Sequence, residues 1–261
     1  MIRYSKETDE RREAGSHECW CLHGSVGTAA DFRPLAKSLA QTGIGSRAVD
    51  LWRFLEATPL PIGEFGQVLN EDVGGETFRG TGGRSLLGYS MGGRLALHSL
   101  LEENHPWQAA VIVSAHPGLE NDLDRSARKA QDAGWAAKAF AGDWRGFLEQ
   151  WNAQPLLGGE DMREPEASQR LVSRRREISR SFIDWSLGLQ EPLWDVLPSI
   201  PVPVLWVAGA EDAKYLELAT RAAALMPTSV LAIAPGCGHR VPWENPGWFA
   251  ERVAHFLKTA S

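Results

Sequence analysis

A mostly parallel α/β sheet, with helices on both faces and a helical lid inserted in the second half, is the fold class this sequence predicts. Three observations carry it. Short apolar runs alternate with stretches of helical periodicity, the order that builds strand–helix–strand crossovers. Residues 109–114, Ala-Ala-Val-Ile-Val-Ser, are apolar without alternation, as suits a parallel strand covered on both faces. Finally, the run Arg84-Ser85-Leu86-Leu87 ends in Gly88-Tyr89-Ser90-Met91-Gly92 and passes directly into a helical run from Arg94 to Leu101.

Taken in order, Ile2 to Lys6 reads as a short edge strand and Thr8 to His17, rich in charge, as a turn or loop. Cys19 to Leu22 is a strand running into the glycine-bearing loop His23-Gly24-Ser25-Val26-Gly27. Phe32, Leu35, Ala36 and Leu39 recur at helical spacing, and Gly43 and Gly45 end that helix. Arg47 to Leu51 is a strand, and the Pro- and Gly-rich stretch from Trp52 to Gly83 holds one short helix around Glu64 to Asp72. After the strand at 109–114, His116-Pro117-Gly118 breaks the pattern. Between Leu119 and Pro198 charged residues and tryptophans dominate, and no strand is legible. That stretch reads as four helices: Asn121 to Ala141, Trp144 to Ala153, Glu164 to Ser181 and Phe182 to Leu189. Strands at Val204 to Ala208 and Val230 to Ile233 then alternate with helices at Tyr215 to Leu225 and Pro246 to Leu257. The expected organisation is a core of residues 1–118 and 199–261 carrying an insertion at 119–198.

Composition narrows the function. The chain has 261 residues, 43% of them apolar, which fits one large domain with a sizeable core. A formal net charge of −6 argues against non-specific nucleic-acid binding. No run of 18 apolar residues suggests a membrane span, and the polar N-terminus lacks the apolar centre of a signal peptide, so a cytoplasmic location is expected. Three cysteines do not make a disulfide framework. Cys19 and Cys21 share one strand face and read as buried strand residues rather than metal ligands. With no clustered Cys and His ligands, neither a metal nor an organic cofactor is expected.

Gly88-Tyr89-Ser90-Met91-Gly92 has the spacing of a nucleophile elbow in the strand–turn–helix setting that motif requires. The glycines leave room for a turn too tight for side chains, and Ser90 is held at a helix N-terminus that favours negative charge. A serine hydroxyl needs an imidazole to take its proton and a carboxylate to fix that imidazole. Past the strand at 204–208 stand Glu211 and Asp212, and past the strand at 230–233 stands His239. The order Ser90, Asp212, His239 is the one expected of such a sheet. Glu211 is adjacent to Asp212 and also acidic, and Asp195 is a weaker rival within the insertion. Oxyanion donors are expected from the backbone N–H groups of Met91 and Ser25, with His23 ordering the loop. Arg94, one helical turn past Ser90, is either an anchor for an anionic substrate or half of a surface ion pair.

Together these residues resemble the α/β-hydrolase superfamily. Within it the chain is similar to the 2-succinyl-6-hydroxy-2,4-cyclohexadiene-1-carboxylate (SHCHC) synthase family of menaquinone biosynthesis. The similar segments are Leu22-His23-Gly24, Gly88 to Arg94, Ser114-Ala115-His116-Pro117-Gly118-Leu119, Arg128 through Trp135-Ala136, Trp151-Asn152-Ala153-Gln154-Pro155, Gln190 to Asp195 and Gly209 to Lys214. They span most of the chain, insertion included. The resemblance implies a carbon–oxygen lyase that eliminates pyruvate from 2-succinyl-5-enolpyruvyl-6-hydroxy-3-cyclohexene-1-carboxylate. Ser90, activated by His239 and Asp212, would act as base. The polycarboxylate substrate implies cationic anchors, Arg94, Arg128 and, by a looser match, Arg175, with Tyr89 and Trp151 as pocket walls. Arg174, Arg175 and Arg176 are adjacent, so Arg175 is a choice among neighbours, and a solvated helix face is the other reading of that run. Two segments depart from the family pattern: Ser186-Leu187-Gly188-Leu189, and Asp50-Leu51-Trp52-Arg53 after the second strand. The competing function is a carboxylesterase or other small-molecule serine hydrolase using the same triad. A non-catalytic binding protein is disfavoured, because all three triad members are present. Oligomeric state is not legible.

Overall fold

The computed structural model describes residues 17–75, 83–158 and 165–260. In chain order its elements are β1 (Glu18–Leu22), α1 (Arg33–Ala40), β2 (Gly45–Val49), α2 (Ile62–Gly74), β3 (Arg84–Tyr89), α3 (Met91–Leu100) and β4 (Trp107–Val113). Then come α4 (Asp122–Ala141), α5 (Trp144–Asn152), α6 (Pro165–Arg170), α7 (Arg175–Asp184), β5 (Val204–Gly209), α8 (Ala213–Leu225), β6 (Ser229–Ala234), α9 (Val241–Glu244) and α10 (Pro246–Thr259). The strands form a six-stranded sheet in the order β2-β1-β3-β4-β5-β6, and every pair is parallel. Growth reverses direction after β2, because β3 is laid on the other side of β1. Ligands gather at such a switch point, beyond the carboxyl ends of the strands. Register pairs Leu22 with Gly88, so the loop after β1 and the turn after β3 leave the sheet side by side.

Alternation along each strand sorts the core into two layers. Cys19, Cys21, Leu87, Val111, Val113, Leu205 and Val207 pack with Leu35 and Leu39 of α1 and Phe249 and Val253 of α10. Trp20, Leu22, Leu86, Ala110, Ile112 and Trp206 pack on the other face with Phe65, Leu69, Leu95, Ala219 and Ala222, from α2, α3 and α8. All three cysteines are buried and unbridged. Helices α4, α5 and α7 follow β4, and their Ala136, Phe147, Ile178 and Phe182 belong to the same apolar cluster as the second layer. Arg128 of α4 lines a cavity with Ser90, the residue just past β3, which sets this stretch at the carboxyl end of the sheet. No helix among the described residues is long and apolar enough to cross a membrane.

Several elements differ from the sequence-based expectation. The strand expected at Arg47 to Leu51 runs Gly45–Val49, because Asp50 accepts a hydrogen bond from the Trp52 N–H and starts a 3-10 turn at Leu51. The helix expected over Glu64 to Asp72 is longer at both ends. The helix expected over Glu164 to Ser181 is broken into α6, a 3-10 turn at Leu171–Arg174, and α7. No separate helix forms over Phe182 to Leu189: residues 182–184 end α7, and the chain then turns. Here distant partners outcompete local periodicity. The Trp185 carbonyl accepts from Arg94, Ser186 Oγ donates to Asp132, and Gly188 sits so close to the Arg125 carbonyl that a Cβ has no room. The short α9 was not foreseen. The strand expected at Ile2 to Lys6 lies outside the described residues.

Candidate active site

Ser90 occupies the single residue between β3 and α3, with φ 53° and ψ −112°. A non-glycine residue rarely holds positive φ, and doing so costs about 1–3 kcal/mol. Glycines on either side make the turn possible. A Cβ on Gly88 would strike the Gly92 carbonyl, and one on Gly92 would strike the Leu22 carbonyl of β1. The Ser90 N–H donates to the Val113 carbonyl at 2.8 Å, which ties the turn to β4.

The sheet brings Ser90, Asp212 and His239 together. Asp212 follows β5 as the N-cap of α8, and its Oδ1 accepts from the Tyr215 N–H at 3.3 Å. Its Oδ2 lies 2.8 Å from His239 Nδ1. A carboxylate only accepts, so Nδ1 carries the proton and Nε2 presents its lone pair. The Ser90 hydroxyl donates to that Nε2 at 3.1 Å. Asp212 and His239 are buried, whereas Glu211 and Asp195 are exposed. The imidazole is held between two rings, Tyr215 edge-on at 4.4 Å and Tyr89 at 5.6 Å.

A narrow cavity of about 30 Å³ opens on Ser90, lined also by Ser25, Met91, Arg94, Ser114, His116, Arg128, Leu187 and Tyr215. Ser25 comes from the loop after β1 and Met91 from the start of α3, and both line the cavity with Ser90. Behind Ser25 the buried His23 braces the loop. Its Nδ1–H donates to the Gly24 carbonyl at 2.9 Å, its Nε2 accepts from the Leu51 N–H at 3.2 Å, and its ring packs on Trp52. The described residues hold three non-glycine positions of positive φ, Val26, Ser90 and Ser114, and each lines the cavity or adjoins a residue that does. Strain is thus concentrated at this site.

Two guanidinium groups face the same cavity. Arg94 is buried, donating from Nη2 to the Trp185 carbonyl at 2.7 Å and from Nη1 to Gln190 Oε1 at 3.2 Å. Burial lowers its pKa to about 10, and the neighbouring Arg128 pushes the same way. Arg128 Nε donates to Asp132 Oδ1 at 2.9 Å, and Asp132 Oδ2 accepts from Ser186 at 2.7 Å. Both acceptors on Arg94 are neutral, so the pair carries one carboxylate for two positive charges. Such a wall favours an anion. His116 also lines the cavity; burial, reinforced by Lys214, Arg94 and Arg128, lowers its pKa to about 3, so it stays neutral. Burial likewise raises the Tyr215 phenol above its ordinary range.

Other expected contacts do not reach this cavity. Arg175 donates from Nε to the Ala139 carbonyl at 3.0 Å and from Nη2 to the Gly142 carbonyl at 2.8 Å, with its guanidinium over Trp144. It caps the carboxyl end of α4. Arg174 pairs with Asp50 and Glu56, and Arg176 is exposed. None of the three lines the cavity, because α7 turns this run toward the helices and solvent. Trp151 packs among Trp135, Phe147 and Phe182 within the insertion. Tyr89 stands behind His239, against Trp243. Ser114, His116, Leu187 and Tyr215 were missed as lining residues. A signal existed for three of them: Ser114 and His116 fall just past β4 and Tyr215 just past Asp212, the same strand-end rule that pointed to Ser90, Asp212 and His239. Leu187 sits in the turn that replaced a helix, which periodicity could not foresee. Among the described residues no group of three His, Cys, Asp or Glu is arranged to hold a metal ion.

Residues 21–252 match the model of the alpha/beta hydrolase family. The chain is 30% identical to 2-succinyl-6-hydroxy-2,4-cyclohexadiene-1-carboxylate synthase of Yersinia pestis (strain Pestoides F), over 98% of this chain and 92% of that protein. Its fold superposes on MenH from S. aureus with a TM-score of 0.85 at 20% identity, covering 99% of both chains. An esterase from Exiguobacterium antarcticum superposes with a TM-score of 0.68 at 20% identity, over 94% of this chain and 93% of that one.

Proposed function

The chain is an enzyme that belongs to the alpha/beta hydrolase family, and from that premise we propose that it is the carbon–oxygen lyase that forms SHCHC in menaquinone biosynthesis. On this reading His239, oriented by Asp212, draws the proton from Ser90, and Ser90 Oγ removes the ring proton next to the succinyl ketone. The electrons of that C–H bond become a ring double bond, the existing double bond shifts by one position, and the ring carbon–oxygen bond breaks. Enolpyruvate leaves and takes a proton on carbon to become pyruvate. The backbone N–H groups of Met91 and Ser25 meet the negative charge that gathers on the ketone oxygen. The placing of buried Arg94 and half-buried Arg128 on the same cavity as Ser90 is the observation that carries the proposal. An uncharged ester has no use for two guanidinium groups beside Ser90, and burying Arg94 among neutral acceptors costs several kcal/mol unless an anion completes its pairing. The substrate is far larger than a cavity of 30 Å³, so on this reading the cavity widens before the substrate binds.

The competing reading is an ester hydrolase that uses the same triad through an acyl-enzyme. Purified protein given the enolpyruvyl substrate should release pyruvate at a kcat/KM within the usual enzymatic range, about 10⁴–10⁸ M⁻¹s⁻¹, and should turn over p-nitrophenyl esters far more slowly. The reverse ranking would make it an esterase.

A further inference from the structure

Ser114 is strained, buried and unpaired at once. It follows β4 directly, with φ at 47° and its N–H held by the Val207 carbonyl at 2.9 Å. It is 1% exposed, and its Oγ has no hydrogen-bond partner among the described residues. A glycine would hold this backbone without strain, and a buried hydroxyl without a partner destabilises the fold. Nothing in the folding of β4 therefore calls for a serine here. Yet the residue lines the cavity that contains Ser90.

His116, two residues on, lines the same cavity. Its Nδ1 accepts from the Gly118 N–H at 3.0 Å, which puts the ring proton on Nε2. Nε2 has no partner among the described residues, and the ring stays uncharged at neutral pH. The wall thus offers one hydroxyl, able to donate or accept, and one N–H donor. An alcohol matches that pair: its oxygen accepts from Nε2–H while its own proton goes to Ser114 Oγ. A carboxylate has no proton to give and is better served by Arg94 and Arg128.

We propose that Ser114 and His116 form a neutral subsite that recognises a hydroxyl group of the substrate, beside the cationic wall. This rests on the lyase reading, in which the substrate carries one alcohol, at ring position 6, among its carboxylates. Ser114→Gly separates a functional from a structural role, because it removes the hydroxyl and relieves the backbone together. Its Tm should equal or exceed that of the parent, while kcat/KM for the hydroxylated substrate should fall about 10-fold or more. For an analogue lacking the ring hydroxyl, parent and variant should agree within about twofold. His116→Asn, which keeps an acceptor for Gly118, should behave the same way. Equal losses on both substrates, or no loss on the hydroxylated one, would overturn the subsite. If the parent protein releases no pyruvate, the lyase reading falls separately. The same comparison on p-nitrophenyl esters of 3-hydroxybutyrate and butyrate then decides, and a hydroxyl preference unchanged by Ser114→Gly, or absent from the parent, rejects the subsite.

Discussion

Arg94 Nη2 donates to the Trp185 carbonyl at 2.7 Å, joining the helix that follows Ser90 to the turn that follows α7. One buried cation therefore ties α3 to the turn after α7 and lines the cavity that contains Ser90.

Arg94→Ala should lower kcat/KM for pyruvate release about 10²-fold or more, chiefly through KM, and should lower stability by about 2–5 kcal/mol. Arg94→Lys should recover little of either, since an ammonium cannot reach Trp185, Gln190 and substrate in one plane. Steady-state kinetics with urea unfolding checks this; unchanged kinetics in Arg94→Ala would remove the anchor role.

Ser90→Ala, His239→Ala and the double variant should each lose about 10³-fold or more in kcat, with the double no worse than the singles. Losses that multiply would mean that the hydroxyl and imidazole act independently, contrary to their 3.1 Å contact.

Asp212→Asn should cost about 10³–10⁴-fold in kcat, because an amide no longer fixes the Nδ1–H tautomer. Glu211→Gln, at the exposed neighbouring position, should stay within about twofold. Assaying the pair side by side tests the assignment that adjacency in sequence leaves open.

Arg175→Ala should lower stability by about 1–3 kcal/mol while leaving KM within about twofold, since its nitrogens are engaged by the Ala139 and Gly142 carbonyls. A large rise in KM with no change in unfolding would return Arg175 to the substrate.

His116 has a folded pKa of about 3 against an unfolded value near 6.5. Between those values the unfolded chain binds a proton that the folded chain refuses, so stability falls as pH drops through this window and is unaffected above it. The slope from this one group is about 1.4 kcal/mol per pH unit near pH 5. Urea midpoints measured from pH 7 to pH 4.5 should fall less steeply for His116→Asn than for the parent.

Local chemistry made much of this protein legible in its residues. The elbow could be read because Gly88 and Gly92 answer a purely steric demand of the turn around Ser90. Asp212 and His239 could be read because each follows an apolar strand in an order the parallel sheet imposes. Helix ends around Asp184 could not, because the deciding partners, Arg94 and Asp132, come from far along the chain.

Strand–helix alternation and the positions just past strand ends are written in the sequence, since apolar period and glycine placement act over a few residues. Only the folded chain set Asp212 rather than Glu211 against His239, and placed Arg128 on the Ser90 cavity while spending Arg175 on the end of α4. The physical reason is direction. Neighbours in sequence leave a helix or loop at different angles, and packing against distant elements determines which of them meets the reacting atoms.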